Sequence, residues 1–130
     1  MLQHIKKLLE HNALAIAIIA TIVIALLSLG SIPKIDLGLN IKSGDKFLHA
    51  LAYFVLSIIW YFALEKKLKK QGIKIFVILS LIFYGIILEA LQGGLTNYRT
   101  ADFFDVIANT IGVVLATILY TKISNWYRTI

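Results

Sequence analysis

Residues 13–29 have the sequence ALAIAIIATIVIALLSL, which contains no charged side chain. An α-helix of this length rises about 26 Å, close to the hydrocarbon thickness of a bilayer, about 30 Å. Gly30 and Pro33 follow, and both residue types end helices. The alternative is a secretory signal peptide that ends after Gly30. We favour a first membrane span, because the apolar run exceeds the usual signal core of about 7–15 residues and further spans follow.

Three more apolar segments occur at residues 47–64, 75–91 and 103–120. Hydrophobic residues make up 59 % of the 130-residue chain and charged residues 15 %, well below the share of about 25 % in soluble domains. We therefore expect an all-α integral membrane protein, a four-helix bundle that forms one domain over residues 1–130. The chain has no cysteine, which excludes disulfides and thiolate ligands.

The basic residues are divided unequally between the two sides of these spans. By the positive-inside rule, the side with more basic residues is cytoplasmic. We therefore expect both termini, and the loop between spans two and three, on the cytoplasmic side of a bacterial cytoplasmic (inner) membrane. This topology accounts for the formal net charge of +6 without nucleic-acid binding. The nine basic residues on that side are Lys6, Lys7, Lys66, Lys67, Lys69, Lys70, Lys74, Lys122 and Arg128.

Polar side chains collect at the opposite, external ends of spans two, three and four. A polar group in a bilayer costs several kcal/mol unless it is paired or wetted, so such a group marks a candidate site. At 100° per residue, Asp45, His49 and Tyr53 share one helix face within about 80°. The candidates are Asp45, Lys46, His49, Tyr53, Glu89, Gln92, Arg99, Asp102, Asp105 and Asn109.

Each candidate has a chemical and a structural interpretation. Free histidine has a pKa near neutral pH, so His49 suits a general base or a metal ligand. Glu89 can instead simply pair with Arg99 or Lys46, and Asp102 can cap span four. A divalent metal can be held by such imidazole and carboxylate groups, but no compact metal motif requires one. We assign candidate catalytic roles to His49, Glu89 and Asp105, and ligand-binding roles to Asp45, Lys46, Tyr53, Gln92, Arg99, Asp102 and Asn109.

The order and spacing of these residues resemble a known family. The sequence Asp45-Lys46-x-x-His49-x-x-x-Tyr53, then Glu89-x-x-Gln92, Arg99, Asp105, Asn109 and Gly112, is similar to that of the VanZ-like family of small bacterial membrane proteins. Ala116 stands where members often carry glycine. The resemblance implies a connection with resistance to the glycopeptide teicoplanin, for which the family is named, but it supplies no molecular activity.

Three functions stay open at this point. The external polar pocket can bind a lipid-linked or cell-envelope ligand, such as a precursor or a glycopeptide, and thereby affect teicoplanin resistance. It can instead be a membrane-embedded hydrolase or transferase, dependent on histidine and carboxylates or on a metal, that acts on a lipid headgroup. The polar groups can also form a purely structural network. Membrane lipids are expected partners, and the sequence does not set the oligomeric state.

Overall fold

The computed structural model describes residues 1–30, 41–96 and 101–130, without the side chains of 41–44. These residues form five α-helices and no strand, which confirms the all-α class. The helices are α1 (Leu2–His11), α2 (Ala13–Leu29), α3 (Ile41–Ala63), α4 (Gln71–Leu95) and α5 (Phe103–Thr129).

Three of these helices, α3, α4 and α5, are long and apolar enough to cross a membrane. With 17 residues, α2 contributes a fourth span only if it is counted together with α1, from which it is bent by 70°. Asn12 lies at this bend. The described residues therefore support three of the predicted spans directly, while the four-helix bundle and its orientation stay predictions.

The helices α3, α4 and α5 are longer than the apolar segments that predicted them, whereas α2 has the bounds of its segment. Hydropathy marks where side chains meet hydrocarbon, whereas a helix continues through polar residues as long as its backbone stays paired. The end of α4 is an example, because it runs through Gly93 and Gly94 to Leu95. Glycine at position 93 leaves room for Ala101, since a Cβ there would lie 2.8 Å from the Cβ of Ala101.

The helices α3 and α5 approach each other closely. A Cβ on Gly112 would lie 2.2 Å from the carbonyl oxygen of Ala50 and 3.0 Å from the backbone nitrogen of Phe54. Ala116, one turn further along α5, is fully buried. The missing side chain at Gly112 therefore makes the close packing of α3 against α5 possible.

The first helix, α1, contacts the C-terminal end of the last helix, α5. Lys6 Nζ donates to the Arg128 carbonyl (3.5 Å) and lies 4.8 Å from the centroid of the Tyr127 ring. At the same end, Glu65 accepts hydrogen bonds from Ser124 (3.0 Å) and Arg128. Burial raises the pKa of Glu65, but the bonds from Arg128 and Ser124 outweigh it and hold the pKa below its ordinary value.

We expect Gly112→Ala to lower the free energy of unfolding by about 1–3 kcal/mol, because the added methyl group overlaps the α3 backbone. Gly94→Ala is the matched control, since a Cβ there meets nothing within 4 Å. Thermal unfolding of the purified variants in detergent measures both. An equal loss in the two variants would show that contact with α3 is not the cause.

Glu65 predicts a pH dependence with a defined sign. Because its folded-state pKa lies below the ordinary value of 4.5, its contribution to stability is present above about pH 4.5 and disappears as the pH falls through the folded-state pKa. Unfolding measured from pH 7 to pH 3 should therefore show a smaller acid-induced loss in Glu65→Gln than in the wild type. Parallel pH curves for the two proteins would contradict this prediction.

Candidate functional site

Three helix ends bring the predicted polar side chains together: the start of α3, the last turns of α4 and the start of α5. The resulting group is connected by hydrogen bonds and ion pairs, and we call it the polar cluster. It lies at the opposite end of α5 from the contact with α1. Its members are Asp45, Lys46, His49, Glu89, Asp102, Asp105 and Asn109.

Lys46 joins α3 to α5. Its Nζ donates to Asp102 Oδ2 (2.6 Å) and to Asp105 Oδ1. The side chain of Asp105 is only 8 % exposed, whereas that of Asp102 is 41 % exposed. Burying a carboxylate costs free energy unless it has a partner, so Asp105 depends on this lysine more than Asp102 does.

Asp102 caps α5, as one interpretation of the sequence predicted. Its Oδ1 accepts the backbone N–H of Phe104 (2.9 Å) at the start of the helix. The hydrogen bond from Lys46, together with that from the Phe104 amide, lowers the pKa of Asp102. Because both carboxylate oxygens are engaged, the described contacts give Asp102 a structural role, and its ligand-binding role stays a prediction.

Glu89 fixes the position of this cap. It is 4 % exposed, and its Oε1 accepts the backbone N–H of Asp102 (2.7 Å). We expected Glu89 to pair with Lys46 or Arg99. In the described part of the chain Lys46 pairs with aspartates instead, and Arg99 lies outside the described residues, so its predicted role is unchanged.

His49 occupies the centre of the cluster. Its Nδ1 lies 3.2 Å from Asn109 Oδ1, so Nδ1–H donates to this amide oxygen. Its Nε2 lies 3.5 Å from Asp105 Oδ2 and 3.7 Å from Asp45 Oδ2, both longer than a normal hydrogen bond. Two carboxylate oxygens thus face Nε2, and this arrangement of negative charge attracts a cation.

Asp45, His49 and Asp105 form a candidate site for a divalent cation. Each offers one ligand atom, and these atoms all lie within 4.8 Å of one another. The two distances from Nε2 are close to the ligand-to-ligand edge of a tetrahedral site with bonds of 2.0–2.2 Å, about 3.4 Å. One imidazole with two carboxylates is also a donor set that divalent transition metals accept.

Two further predicted residues lie at the edge of the polar cluster. Gln92 Nε2 donates to the Ser28 carbonyl (2.8 Å) near the end of α2, which is the cross-helix role expected of its amide. Tyr53 is buried, and its ring centroid lies 6.2 Å from that of Tyr84. The described contacts thus give Gln92 a structural role, and a ligand-binding role for either residue stays a prediction.

Sequence analysis overlooked Gly85. A Cβ at this position would lie 3.2 Å from both Asn109 Nδ2 and Tyr53 Cε1, so the missing side chain makes room for the amide that holds His49. The available signal was a glycine one turn before Glu89 in an otherwise apolar segment. Glycine is common in membrane helices, and this signal is weak without the partner residues.

Comparison with known proteins places the chain in a family. The family model described as VanZ/LLP1 matches residues 2–125, nearly the whole chain. The chain belongs to the VanZ/LLP1 family. This confirms the resemblance found in the sequence, and with the three apolar helices it identifies a membrane protein.

One relative of this VanZ/LLP1 protein comes from a yeast. An uncharacterized protein of Schizosaccharomyces pombe is 31 % identical to it over 111 residues, which cover 85 % of this chain and 64 % of the relative. The chain therefore spans somewhat less than two thirds of the length of that relative. No solved structure gives a significant match to the chain.

We expect Lys46→Gln to lower the free energy of unfolding by about 2 kcal/mol, because it removes a charged hydrogen-bond donor from the buried Asp105. Adding Asp105→Asn should restore part of the loss, since the uncompensated charge is then absent. Lys122→Gln, at an exposed position of α5, is the control. If the double variant is as unstable as the sum of its single variants, the two residues are not coupled.

Proposed function

We propose that the polar cluster binds the headgroup of a lipid-linked cell-envelope ligand, and that this binding affects susceptibility to teicoplanin. The observation that carries the proposal is the juxtaposition of Lys46 with the ligand atoms of Asp45, His49 and Asp105. Headgroups of lipid-linked precursors carry phosphates. A lysine beside a cation-binding group is a common arrangement for binding phosphate.

The balance of charge supports a cation in this site. Among the described residues, the four carboxylates of the polar cluster face one lysine and one histidine. Such an excess of negative charge repels a bare phosphate but attracts a divalent cation. A bound cation would supply positive charge to a phosphate oxygen, while Lys46 would bind a second oxygen.

The proposed topology places this site on the outer side of a bacterial cytoplasmic membrane. Under the positive-inside rule, the cytoplasmic side holds both chain ends and the lysine-rich segment that joins α3 to α4. The contact of Lys6 with the end of α5 supports the shared location of the two termini. An external site is accessible to envelope precursors and to glycopeptides, which a cytoplasmic site is not.

A second candidate is a hydrolase or transferase that acts on the same headgroup. It is favoured by the hydrogen bond from His49 Nδ1–H to Asn109, which leaves Nε2 as the proton-accepting atom. In that role Nε2 would take a proton from a water or hydroxyl nucleophile, and Asp105 would stabilise the imidazolium that forms. Because Nε2 cannot hold a proton and a metal at once, the enzyme would use His49 as base rather than as ligand.

The decisive variant is His49→Gln, with His4→Gln on the exposed surface of α1 as its matched control. For each protein we would measure thermal stability in detergent, teicoplanin susceptibility of a strain that depends on it, and binding of Zn²⁺ or Mn²⁺ by calorimetry. The proposal expects His49→Gln to remain folded, to bind the metal at least about tenfold more weakly, and to alter susceptibility. His4→Gln should match the wild type in all three measurements.

The outcomes separate the three functions. If His49→Gln retains metal affinity, the assigned donor set is wrong. If it loses hydrolysis of a phosphate-bearing lipid while still binding it, the site is catalytic. If Glu89→Gln, Arg99→Gln and Asp105→Asn all lose folded protein in proportion to the phenotype, the cluster is a structural network and the binding proposal fails.

A further inference from the structure

An apolar groove lies between α2, α3 and α4, away from the polar cluster. It has a volume of about 290 Å³, and its walls include Thr21 of α2, Trp60 of α3, and Phe76 and Ser80 of α4. Leu64, just beyond α3, closes one end of the lining. Phe76 is 70 % exposed, so the groove opens onto the surface that hydrocarbon covers in a membrane.

Trp60, Thr21 and Tyr84 place polar groups beside the groove, and these groups are hydrogen-bonded within the protein. Trp60 Nε1 donates to Thr21 Oγ1 (2.9 Å), and this hydroxyl donates to the Ala17 carbonyl (2.8 Å). The hydroxyl of Tyr84, which also lines the groove, donates to the Thr21 carbonyl. Since these groups are already paired, the groove offers an occupant mainly hydrocarbon contacts, which suit a chain of methylene groups.

One end of the groove adjoins the most basic segment of the chain. This segment covers residues 66–74, so Leu64 precedes it by two residues and Phe76 follows it by two. The segment also contains the first turn of α4, whose N-cap residue, Lys70, makes no side-chain capping bond. We call it the lysine segment, and its basic residues are Lys66, Lys67, Lys69, Lys70 and Lys74.

We propose that the groove holds one acyl chain of an anionic phospholipid whose phosphate contacts the lysine segment. The apolar walls select the chain, and the lysines select the charge of the headgroup. A helix N-terminus adds attraction for the phosphate through its unpaired backbone N–H groups. The inference is independent of the polar cluster, since the groove and the lysine segment share no residue with it.

Trp60 provides a direct probe of occupancy. The chain has two tryptophans, so Trp126→Phe leaves Trp60 as the one fluorescent tryptophan. The Trp126→Phe protein is placed in two kinds of phosphatidylcholine vesicle. One contains a small fraction of phosphatidylglycerol brominated along its acyl chains, and the other contains the same fraction of phosphatidylcholine brominated in the same way. Because bromine quenches tryptophan at contact, the proposal expects severalfold stronger quenching by the brominated phosphatidylglycerol.

Two sets of variants in this background test the two parts of the proposal. Replacing the four exposed residues Lys66, Lys67, Lys69 and Lys70 by Gln should reduce the preference for phosphatidylglycerol at least about fivefold, whereas Lys7→Gln with Lys122→Gln should not. Ser80→Phe fills the groove and should reduce quenching by both lipids. Leu79→Phe, which adds bulk on the exposed neighbouring face, should leave quenching unchanged.

Equal quenching of Trp60 by the two brominated lipids would overturn the proposal, as would a preference that survives removal of the four lysines. The lysine variants change only exposed side chains, so they remain informative if Ser80→Phe fails to fold. Equal loss of quenching in Ser80→Phe and Leu79→Phe would also contradict an acyl chain in the groove. None of these results depends on whether the polar cluster binds a headgroup.

Discussion

The close contact between Gly112 and the α3 backbone is the constraint on which the polar cluster depends. It brings α3 and α5 together at Ala50, the residue that follows His49. Asn109 lies three residues before Gly112, so the same approach places its amide within hydrogen-bonding distance of the imidazole. With a larger residue at 112 the helices would move apart, and the short side chains of Asp105 and Asn109 would no longer reach α3.

Within the polar cluster, a few polar groups each serve two helices. Lys46 bonds carboxylates that belong to the start of α5, and Glu89 holds the backbone of the residue that caps the same helix. In a surrounding of low dielectric these bonds are stronger than in water, but each unpaired member costs more. The arrangement thus resists rearrangement, and it holds Nε2 of His49 in a position where two carboxylates face it.

The sequence allowed a good prediction of the helices and of the residues that meet at their ends. Helical periodicity predicted that Asp45, His49 and Tyr53 share one face of their helix. The sequence could not reveal that Glu89 binds a backbone amide or that Gln92 reaches Ser28 of α2, because such partners depend on the rotation of each helix about its axis. The role of Gly85 in making room for Asn109 could not be predicted for the same reason, since it depends on α4 facing Tyr53.

The 70° bend between α1 and α2 gives the protein a surface element as well as its spans. The exposed apolar residues of α1, among them Leu2 and Leu9, suit a helix that lies in the interface between headgroups and hydrocarbon. Contacts of Lys6 with Arg128 and Tyr127 fasten this helix to the end of α5. The depth of α1 is therefore linked to the position of this end of α5. A change in bilayer thickness, which alters helix tilt, would act on α1 and on this end of α5 together.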